Sequence, residues 1–303
     1  MADLKVIYIA GPGRSGSTLL GTLLGQPEGF VDVGEVWQYW RKRHRPGARA
    51  NCACGESLLT CPFWAAVEAK LLRPGGPELA SVQDEIRMSA LPRLWRRAHR
   101  GELASTPFGL ALADLYQAVA SASGARVIVD SSKIPGQGMV ASVLPGVELY
   151  VVHLTRDPRS CVNSWRTEKL RGEGAGRVGE RRPSRVLRDW NSWNLASMTL
   201  LRRLAGRGRY LRVAYEDFAD RPREVAEAIL AFVGEPAAKL PFTAARSVVL
   251  EPSHVFAGNP DRFGPSERTI ARQDRWRDEL PGSTRLEAQL LTTPVRQILG
   301  YRP

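Results

Sequence analysis

The sequence lacks any apolar run that approaches the roughly 20 residues required for a membrane-spanning helix. It also lacks the features of a signal peptide, because the opening MADLKVIYIAG has no basic start and its apolar run, residues 6–10, is too short. Internal repeats and low-complexity segments are absent as well. These absences exclude a helical membrane span and a repeat array, and we expect a soluble, cytoplasmic protein.

Cysteine and histidine are scarce, with four of each among 303 residues. Three of the cysteines, Cys52, Cys54 and Cys61, lie in the segment NCACGESLLTCPFW. A zinc site normally takes four ligands in paired C-x-x-C or C/H spacings, whereas here the spacing is C-x-C and the nearest histidine, His44, precedes it. We therefore expect no metal, and a local disulfide or buried thiols rather than zinc, with the role of these cysteines left open.

Acidic residues are in deficit, with 31 Asp and Glu against 43 Lys and Arg, so the formal net charge is +12. This balance suggests an anionic partner, such as nucleic acid, an acidic membrane surface or a phosphorylated small molecule. Arginine greatly outnumbers lysine, and coding bias explains the surface charge equally well. No helix-turn-helix, zinc-finger or RNA-binding signature is present, so we expect no nucleic-acid partner.

Length and composition predict one α/β domain covering residues 1–303. Helical stretches are predicted at 82–100, 107–123, 185–204, 222–232 and 284–299, with a glycine- and arginine-rich break at 172–183 and a loop at 251–270. Alternation of strands and helices predicts a P-loop-like, mainly parallel sheet flanked by helices, with a helical insertion at about 38–125. The buried strands are predicted at residues 5–10, 30–33, 125–129, 148–154 and 210–214.

A glycine-rich turn, GPGRSGST at residues 11–18, connects the first predicted strand to a helix. Such a turn exposes backbone N–H groups and the positive end of the helix, which together bind an anion such as phosphate. The turn departs from the nucleotide-triphosphate pattern G-x-x-x-x-G-K-[ST], because Ser17 replaces the lysine and Arg14 lies inside the turn. This argues against an ATP-dependent enzyme, and a small-molecule kinase is kept as the alternative function.

A second polar motif, LTRDPRSCVNS at residues 154–164, follows the fourth predicted strand. Arg156 can form paired hydrogen bonds to a phosphate, and Ser164, two helical turns later, can complete the cradle. The alternative is that Arg156 pairs with Asp157 at a helix start. Because ligands bind beyond the carboxyl ends of parallel strands, we expect the two motifs to share one site.

The two motifs together resemble those of the sulfotransferases that use 3′-phosphoadenosine-5′-phosphosulfate (PAPS), in a bacterial branch similar to the carbohydrate and tyrosylprotein enzymes. The resemblance covers about residues 5–280 and makes Arg156 and Ser164 the 3′-phosphate site. It implies transfer of a sulfuryl group to a hydroxyl of a small molecule, glycolipid or carbohydrate, without a metal, by in-line displacement that releases 3′,5′-adenosine bisphosphate. The implied 5′-phosphosulfate loop comprises Gly13, Arg14, Ser15, Gly16, Ser17 and Thr18.

The resemblance also implies roles in catalysis. Arg14 would stabilise charge on the leaving phosphate, and Glu35 would be the base, with a pKa raised by partial burial. A structural glutamate paired with a neighbouring arginine is the alternative for Glu35, and His254 is the rival base because cytosolic members use a histidine. Lys133 would bind the sulfate or the acceptor, unless it is simply solvent-exposed. His153, inside a strand, is interpreted as a core residue.

Further residues are implied to surround the nucleotide and the acceptor. The tyrosine that corresponds to Tyr215 lies near the adenine in relatives. The alternative is that Tyr215 packs under the edge of the sheet. A late loop with Gly258, Asn259 and Arg262 closes over the nucleotide, with a plain surface turn as the alternative. The acceptor should lie against the insertion, and the oligomeric state is open. Four tryptophans could form an aromatic wall there or belong to the core: Trp37, Trp40, Trp64 and Trp95.

Overall fold

A five-stranded parallel sheet forms the centre of the protein. The computed structural model describes residues 4–44, 51–73, 75, 77–82, 86–166, 169–170, 177–178 and 181–301. The sheet strands are β1 (Leu4–Ala10), β2 (Phe30–Gly34), β3 (Val127–Lys133), β4 (Val147–Thr155) and β7 (Tyr210–Ala214). Their order is β2-β3-β1-β4-β7, which confirms the predicted mainly parallel α/β fold. Two antiparallel pairs lie outside the sheet: β5 (Lys169–Leu170) with β6 (Arg177–Val178), and β8 (Ser247–Val249) with β9 (Glu267–Thr269).

Helices follow most of the strands and cover the sheet. Short 3₁₀ turns lie at Val36–Gln38, Met88–Ala90 and Pro260–Phe263, and a π-helical turn lies at Ser197–Leu201. The α-helices are α1 (Ser17–Leu24), α2 (Tyr39–His44), α3 (Pro62–Glu68), α4 (Pro77–Val82), α5 (Leu91–His99), α6 (Pro107–Ser123), α7 (Pro135–Ala141), α8 (Pro158–Arg166), α9 (Pro183–Ala196), α10 (Arg202–Ala205), α11 (Tyr215–Asp220), α12 (Pro222–Phe232), α13 (Trp276–Glu279) and α14 (Gly282–Ile298).

The alternating side chains of β1 divide between two apolar cores. Val6 and Tyr8 pack in a core that contains buried residues of α2, α3, α5, α6 and α7. Ile7 and Ile9 pack in the opposite core with residues of α1 and α12. Because both faces are covered, β1 is apolar at nearly every position, as is usual for a central parallel strand. Each fully buried isoleucine stabilises the fold by roughly 1.5–3 kcal/mol.

The insertion between β2 and β3 packs directly on the sheet. Helices α2 to α6 lie in this insertion, and their buried residues belong to the same core as Val6 and Tyr8 of β1. The predicted helical character of residues 38–125 is therefore observed, and the insertion shares the core of the sheet. The interpretation of residues 1–303 as one domain stays a prediction.

Several predicted boundaries differ from the structure. The third strand extends to Lys133 instead of residue 129, because the polar residues Asp130 to Lys133 are themselves buried. The predicted helix at 82–100 is interrupted, and α5 begins only at Leu91 with Pro92 in its first turn, where a missing N–H is tolerated. The predicted helix at 185–204 is broken by the π-helical turn, and the predicted 251–270 loop contains β9. Most of the predicted break at 172–183 lies outside the described residues.

The parallel arrangement brings the carboxyl ends of the five strands to one edge of the sheet. The polar segments that follow β1, β2 and β4 lie at this edge, together with Lys133 at the end of β3 and Tyr215 after β7. In open α/β sheets this is the edge at which ligands bind. Among the described residues, no helix combines the length and the apolar character needed to cross a membrane.

Candidate functional site

The glycine-rich turn between β1 and α1 is closely packed on both sides. Gly11 has φ 133°, and a Cβ there would overlap the carbonyl oxygen of Leu154 in β4. Gly16 caps α1 with φ 92°, and a Cβ there would lie 2.7 Å from the ring of Tyr215. Both positions therefore require glycine, which adopts positive φ without a steric penalty. The result is a compact turn at a helix N-terminus, which is a favourable place for an anion.

Arg14 lies in this turn in an unusual backbone conformation. Its φ is 69°, and among the described residues the only other non-glycine residue with positive φ is Lys133. Such conformations cost about 1–3 kcal/mol and persist only where the surroundings impose them. The Arg14 guanidinium lies 4.6 Å from the centre of the Trp165 ring and donates from Nη1 to Asn259 Oδ1 at 3.1 Å. The side chain is thereby held over the turn.

The late loop lies directly against the glycine-rich turn. The backbone N–H of Asn259 donates to Thr18 Oγ1 at 3.3 Å, and Arg262 Nη1 donates to the carbonyl of Gly258 at 3.0 Å. Gly258 has φ 121°, and a Cβ there would lie 3.6 Å from Glu35 Oε1. The loop therefore borders the site next to α1 and to Glu35, the residue after β2.

Arg156 and Ser164 lie together, as the motif predicted. Both line a small pocket of about 20 Å³ beside the glycine-rich turn, and Arg156 is 6% exposed. Arg156 Nη1 donates to the carbonyl oxygen of Arg14 at 2.9 Å, which joins this pocket to the turn. Sequence reasoning missed the remaining lining residues, of which Arg275 adds a further positive charge. The pocket is lined by Arg156, Ser160, Asn163, Ser164, Gln273, Arg275 and Trp276.

The alternative interpretation of Arg156, an ion pair with Asp157, does not fit the structure. Asp157 instead pairs with Arg159, whose Nη2 lies 2.7 Å from Oδ2. Arg156 stacks on the ring of Tyr215 at 4.1 Å, and the same ring packs against Gly16. Tyr215 lines neither pocket. Tyr215 therefore packs against both the glycine-rich turn and Arg156, in agreement with the packed-tyrosine alternative.

Two buried polar atoms in these segments lack a partner. Ser15 Oγ and Arg156 Nε are buried and form no hydrogen bond with any of the described residues. Leaving such groups unpaired costs about 1–3 kcal/mol each. Arg156 lines the small pocket, so an oxygen of a bound anion is a suitable partner for its Nε atom.

The main cleft has a volume of about 340 Å³ and lies between the turn, the late loop and α9. The predicted site residues that line neither pocket are Ser15, Tyr215 and His254. Ser15 belongs to the turn but is fully buried. The predicted residues that line the main cleft are Gly13, Arg14, Gly16, Ser17, Thr18, Glu35, Lys133, Gly258, Asn259 and Arg262.

Glu35 forms a nearly buried ion pair with Lys133. Lys133 Nζ lies 2.5 Å from Glu35 Oε1, and the two side chains are 9% and 14% exposed. Gln38 Nε2 and Trp37 Nε1 donate to the other oxygen of Glu35 at 2.6 and 3.3 Å. Burial raises the pKa of Glu35, but the Lys133 charge and these hydrogen bonds outweigh burial, so the pKa lies below its ordinary value.

This result corrects two expectations. The pKa of Glu35 is lowered, whereas the sequence interpretation invoked a pKa raised by burial. Lys133 is buried and ion-paired, so the solvent-exposed alternative for this lysine is wrong. Glu35 is consequently an ionised carboxylate at neutral pH, adjacent to a cation inside the cleft.

The two histidines considered at the sequence level lie outside the cleft. His153 is fully buried, contacts Tyr210 Oη and Asn194 Oδ1 at 2.7 and 2.8 Å, and has a pKa lowered by burial to about 4. It is a core residue, as expected. His254 points its Nδ1 toward Cys61 Sγ at 3.3 Å and does not line the cleft. The structure therefore places this rival base away from Glu35 and Lys133.

The aromatic residues of the cleft differ from those expected. Trp40 and Trp64 are each 1% exposed and belong to the core, and neither Trp37 nor Trp95 lines the cleft. Two of the aromatic residues that line the cleft could have been found from the sequence. They are tryptophans spaced three residues apart on the predicted amphipathic helix that corresponds to α9. The aromatic residues that line the cleft are Trp165, Trp190, Trp193 and Phe256.

Comparison with known proteins identifies consistent similarities. A family model described as "Sulfotransferase family" matches residues 7–239. Carbohydrate sulfotransferase 3 of Mus musculus is 25% identical over 170 residues, which cover 52% of this chain and 35% of that protein, so the match spans about a third of the relative. Carbohydrate sulfotransferase 5 of Homo sapiens is 25% identical over 342 residues, which cover 99% of this chain and 78% of that protein.

Two solved structures share the fold. The sulfotransferase domain from the Synechococcus PCC 7002 olefin synthase has a TM-score of 0.53 and 20% identity, and covers 100% of this chain and 96% of that one. The sulfotransferase domain from the curacin biosynthetic pathway has a TM-score of 0.55 and 17% identity, and covers 100% and 99%. At these identities the similarity establishes the fold alone.

The close packing of the turn leads to a stability prediction. Gly16→Ala combines a left-handed backbone with contact against the Tyr215 ring. Gly124→Ala is the matched control, because Gly124 has φ 70° but no atom within 4 Å of its added Cβ. Chemical denaturation should show a loss of about 1–2 kcal/mol for the control and roughly 1–3 kcal/mol more for Gly16→Ala. Equal losses would show that Tyr215 does not pack tightly on the turn.

Proposed function

Because the chain belongs to the sulfotransferase family, we propose that it transfers a sulfuryl group from PAPS to a hydroxyl of a small molecule, glycolipid or carbohydrate, and releases 3′,5′-adenosine bisphosphate. The observation that carries the proposal is that Arg156 and Ser164 share one pocket, and that Arg156 is hydrogen-bonded to the turn through the Arg14 carbonyl. PAPS carries one phosphate on the 5′ position of its ribose and another on the 3′ position. Arg14 in the turn and Arg156 in the small pocket supply a positive group for each of them.

The donor would be bound by two adjacent anion sites. The backbone N–H groups of the turn and the start of α1 would hold the 5′-phosphosulfate. Arg156 and Ser164 would hold the 3′-phosphate, since a guanidinium forms paired, charge-assisted hydrogen bonds with phosphate. The unpaired Arg156 Nε supports this assignment, because Arg156 lines the small pocket and could bond there to a ligand oxygen.

Arg14 would stabilise the leaving group. As the bond between sulfur and the bridging oxygen breaks, negative charge develops on the 5′-phosphate. A cation already oriented toward that position lowers the barrier without reorganisation during the reaction. The stacking of Arg14 on Trp165 and its hydrogen bond to Asn259 supply this orientation.

Glu35 would accept the proton of the acceptor hydroxyl. The acceptor oxygen forms a bond to sulfur while the bond between sulfur and the bridging phosphate oxygen breaks, and the hydroxyl proton moves to Glu35. The lowered pKa keeps Glu35 ionised and available at neutral pH. Once Glu35 is neutralised, the charge of Lys133 is no longer balanced and can stabilise oxygens of the transferring sulfuryl group.

A carbohydrate hydroxyl is the acceptor class that we favour. The cleft offers aromatic surface from Trp165 and Trp193 together with the polar side chains of Gln38 and Asn51. Such a mixture of apolar walls and a few polar groups is typical of small-molecule sites. The two curated relatives named above are described as carbohydrate sulfotransferases, in agreement with this choice.

The kinase alternative is not favoured. Ser17 lies where an ATP-binding turn carries its lysine, and ATP has no 3′-phosphate to occupy the pocket of Arg156 and Ser164.

The donor site predicts a selective loss of nucleotide affinity in Arg156→Ala. Calorimetric titration should show that affinity for 3′,5′-adenosine bisphosphate falls by roughly tenfold to a hundredfold, because charge-assisted hydrogen bonds to the 3′-phosphate are lost. Affinity for adenosine 5′-phosphate, which lacks the 3′-phosphate, should change little. ATP with magnesium should bind weakly to both proteins.

Arg209→Ala is the control for this titration, since Arg209 is an exposed residue paired with Glu148 at the opposite end of the sheet. It should bind both nucleotides as the unmodified chain does. Failure of the folded, unmodified chain to bind 3′,5′-adenosine bisphosphate would overturn the proposal. An equal loss of both nucleotides in Arg156→Ala would refute the assignment of the 3′-phosphate to Arg156.

The ion pair predicts a shift of the pH profile in Lys133→Met. Loss of the Lys133 charge leaves burial as the dominant influence, so the pKa of Glu35 should rise. The acid limb of kcat/KM, where Glu35 becomes protonated and inactive, should therefore move to higher pH. The measurement is transfer from labelled PAPS to the best acceptor in a panel of simple sugar glycosides.

Lys5→Met is the matched control, because Lys5 also forms an ion pair, with Glu235, but at the start of β1 away from the cleft. Its acid limb should coincide with that of the unmodified chain. An unchanged acid limb in Lys133→Met, with only a uniform loss of rate, would show that Glu35 is not the group whose ionisation controls transfer.

A further inference from the structure

Three cysteines and one histidine converge outside the cleft. Cys52, Cys54 and Cys61 lie at the start of the insertion, and His254 lies in the segment that leads into the late loop. Their ligand atoms, three Sγ and one nitrogen, are all within 4.8 Å of one another. Nearly two hundred positions of sequence separate Cys61 from His254, so only the fold brings them together.

Three of the distances between these atoms are close to the edges of a tetrahedral zinc site, and the others are at most 4.8 Å. Zinc lies about 2.3 Å from sulfur and about 2.0–2.1 Å from a histidine nitrogen, so tetrahedral geometry requires S···S edges of about 3.8 Å and S···N edges of about 3.5 Å. The Cys54 and Cys61 sulfurs are 3.7 Å apart. His254 Nδ1 lies 3.3 Å from Cys61 Sγ and 3.8 Å from Cys52 Sγ.

The cysteine segment is folded to present its sulfurs. The N–H of Gly55 donates to the Cys52 carbonyl at 3.0 Å, and the N–H of Cys52 donates to the Glu56 carbonyl at 2.7 Å. Gly55 has φ 96°, which permits this tight reversal between the first two cysteines and the third. The N–H of Cys61 donates to the Ser57 carbonyl at 2.8 Å, which fixes the third sulfur.

The histidine is oriented by its own set of contacts. Trp64 Nε1 donates to the His254 carbonyl at 2.7 Å, and the Phe63 ring stacks on the imidazole at 4.7 Å with an interplanar angle of 10°. The N–H of Ala53 donates to the Val255 carbonyl at 2.9 Å. These contacts fix the backbone of His254 and the plane of its ring beside the three sulfurs.

We propose that Cys52, Cys54, Cys61 and His254 bind a structural zinc ion. Four protein ligands complete the tetrahedron and leave no position for substrate, which is the pattern of structural zinc sites rather than catalytic ones. Three thiolates and one imidazole also suit zinc better than magnesium, calcium or manganese. This assignment does not depend on the proposed sulfuryl transfer.

The ion would connect the insertion to the late loop. His254 precedes by a few residues Gly258 and Asn259, which contact the glycine-rich turn through Thr18. Val255 packs against the position of Gly34 at the end of β2. Zinc would therefore fix the segment that covers the cleft, without taking part in chemistry there.

A disulfide is the competing explanation for the cysteines. The four cysteines of the chain are free, and the 3.7 Å separation of the Cys54 and Cys61 sulfurs is far from the ~2.05 Å of a disulfide. A disulfide between any two of the three cluster cysteines would also leave His254 and the third sulfur without a common partner. The metal site accounts for all four residues.

The test is the metal content of the full chain, purified from zinc-supplemented cultures and passed over a chelating resin. Plasma mass spectrometry should find one zinc per chain. Cys61→Ser and His254→Gln should each retain less than about a tenth of this amount, because loss of one ligand weakens a structural site strongly. His99→Gln, in which an exposed histidine is changed, should retain the full amount.

Cobalt reconstitution provides a second readout if the variants fail to fold. The unmodified chain, stripped of metal and loaded with cobalt(II), should show the intense visible bands of tetrahedral thiolate coordination, and zinc should abolish them. A metal-free chain with four titratable thiols after unfolding would overturn the proposal, as would two titratable thiols, which would indicate a disulfide. Stoichiometric iron in place of zinc would equally contradict it.

Discussion

The hydrogen bond from Arg156 to the Arg14 carbonyl holds together two segments that are far apart in sequence. Its geometry depends on the glycine-rich turn, which can approach β4 and Tyr215 only because Gly11 and Gly16 carry no side chain. Tyr215 in turn supports both Gly16 and the Arg156 guanidinium. The parallel sheet provides the frame for this arrangement, since it delivers the ends of β1, β4 and β7 to one edge.

The cleft contains two cationic groups held in costly backbone conformations. Arg14 and Lys133 both have φ near 69°, which non-glycine residues adopt only under constraint. Arg14 lies beside the proposed leaving group, and Lys133 pairs with the proposed base. Both strained residues line one cleft. This agrees with a site in which the positions of the charges are set before the reaction.

Much of the fold and part of the site were predictable from the sequence. The apolar, β-branched run of β1 and the polar residues that follow each strand are local signals, and they predicted the sheet and its binding edge. The pairing of Arg156 with Ser164 in one pocket was also predictable, because Arg156 comes directly after a strand and Ser164 lies in the helix that follows.

The remaining features depend on contacts between distant segments. The pKa of Glu35 is set by Lys133, which lies nearly a hundred positions away, so burial at a strand end gave the wrong direction. His44 is the histidine nearest to the cysteines in sequence, whereas the fold brings His254 to them. The cleft tryptophans of α8 and α9 likewise depend on how these helices pack beside the turn.

A crystal structure of the chain with 3′,5′-adenosine bisphosphate would test the two proposed phosphate sites together. We expect the 5′-phosphate in the glycine-rich turn at the N-terminus of α1, and the 3′-phosphate between Arg156 and Ser164. The Arg156 Nε atom should then gain a ligand oxygen as its partner. A nucleotide bound with its 3′-phosphate in solvent, or outside this pair of sites, would refute the proposed donor site.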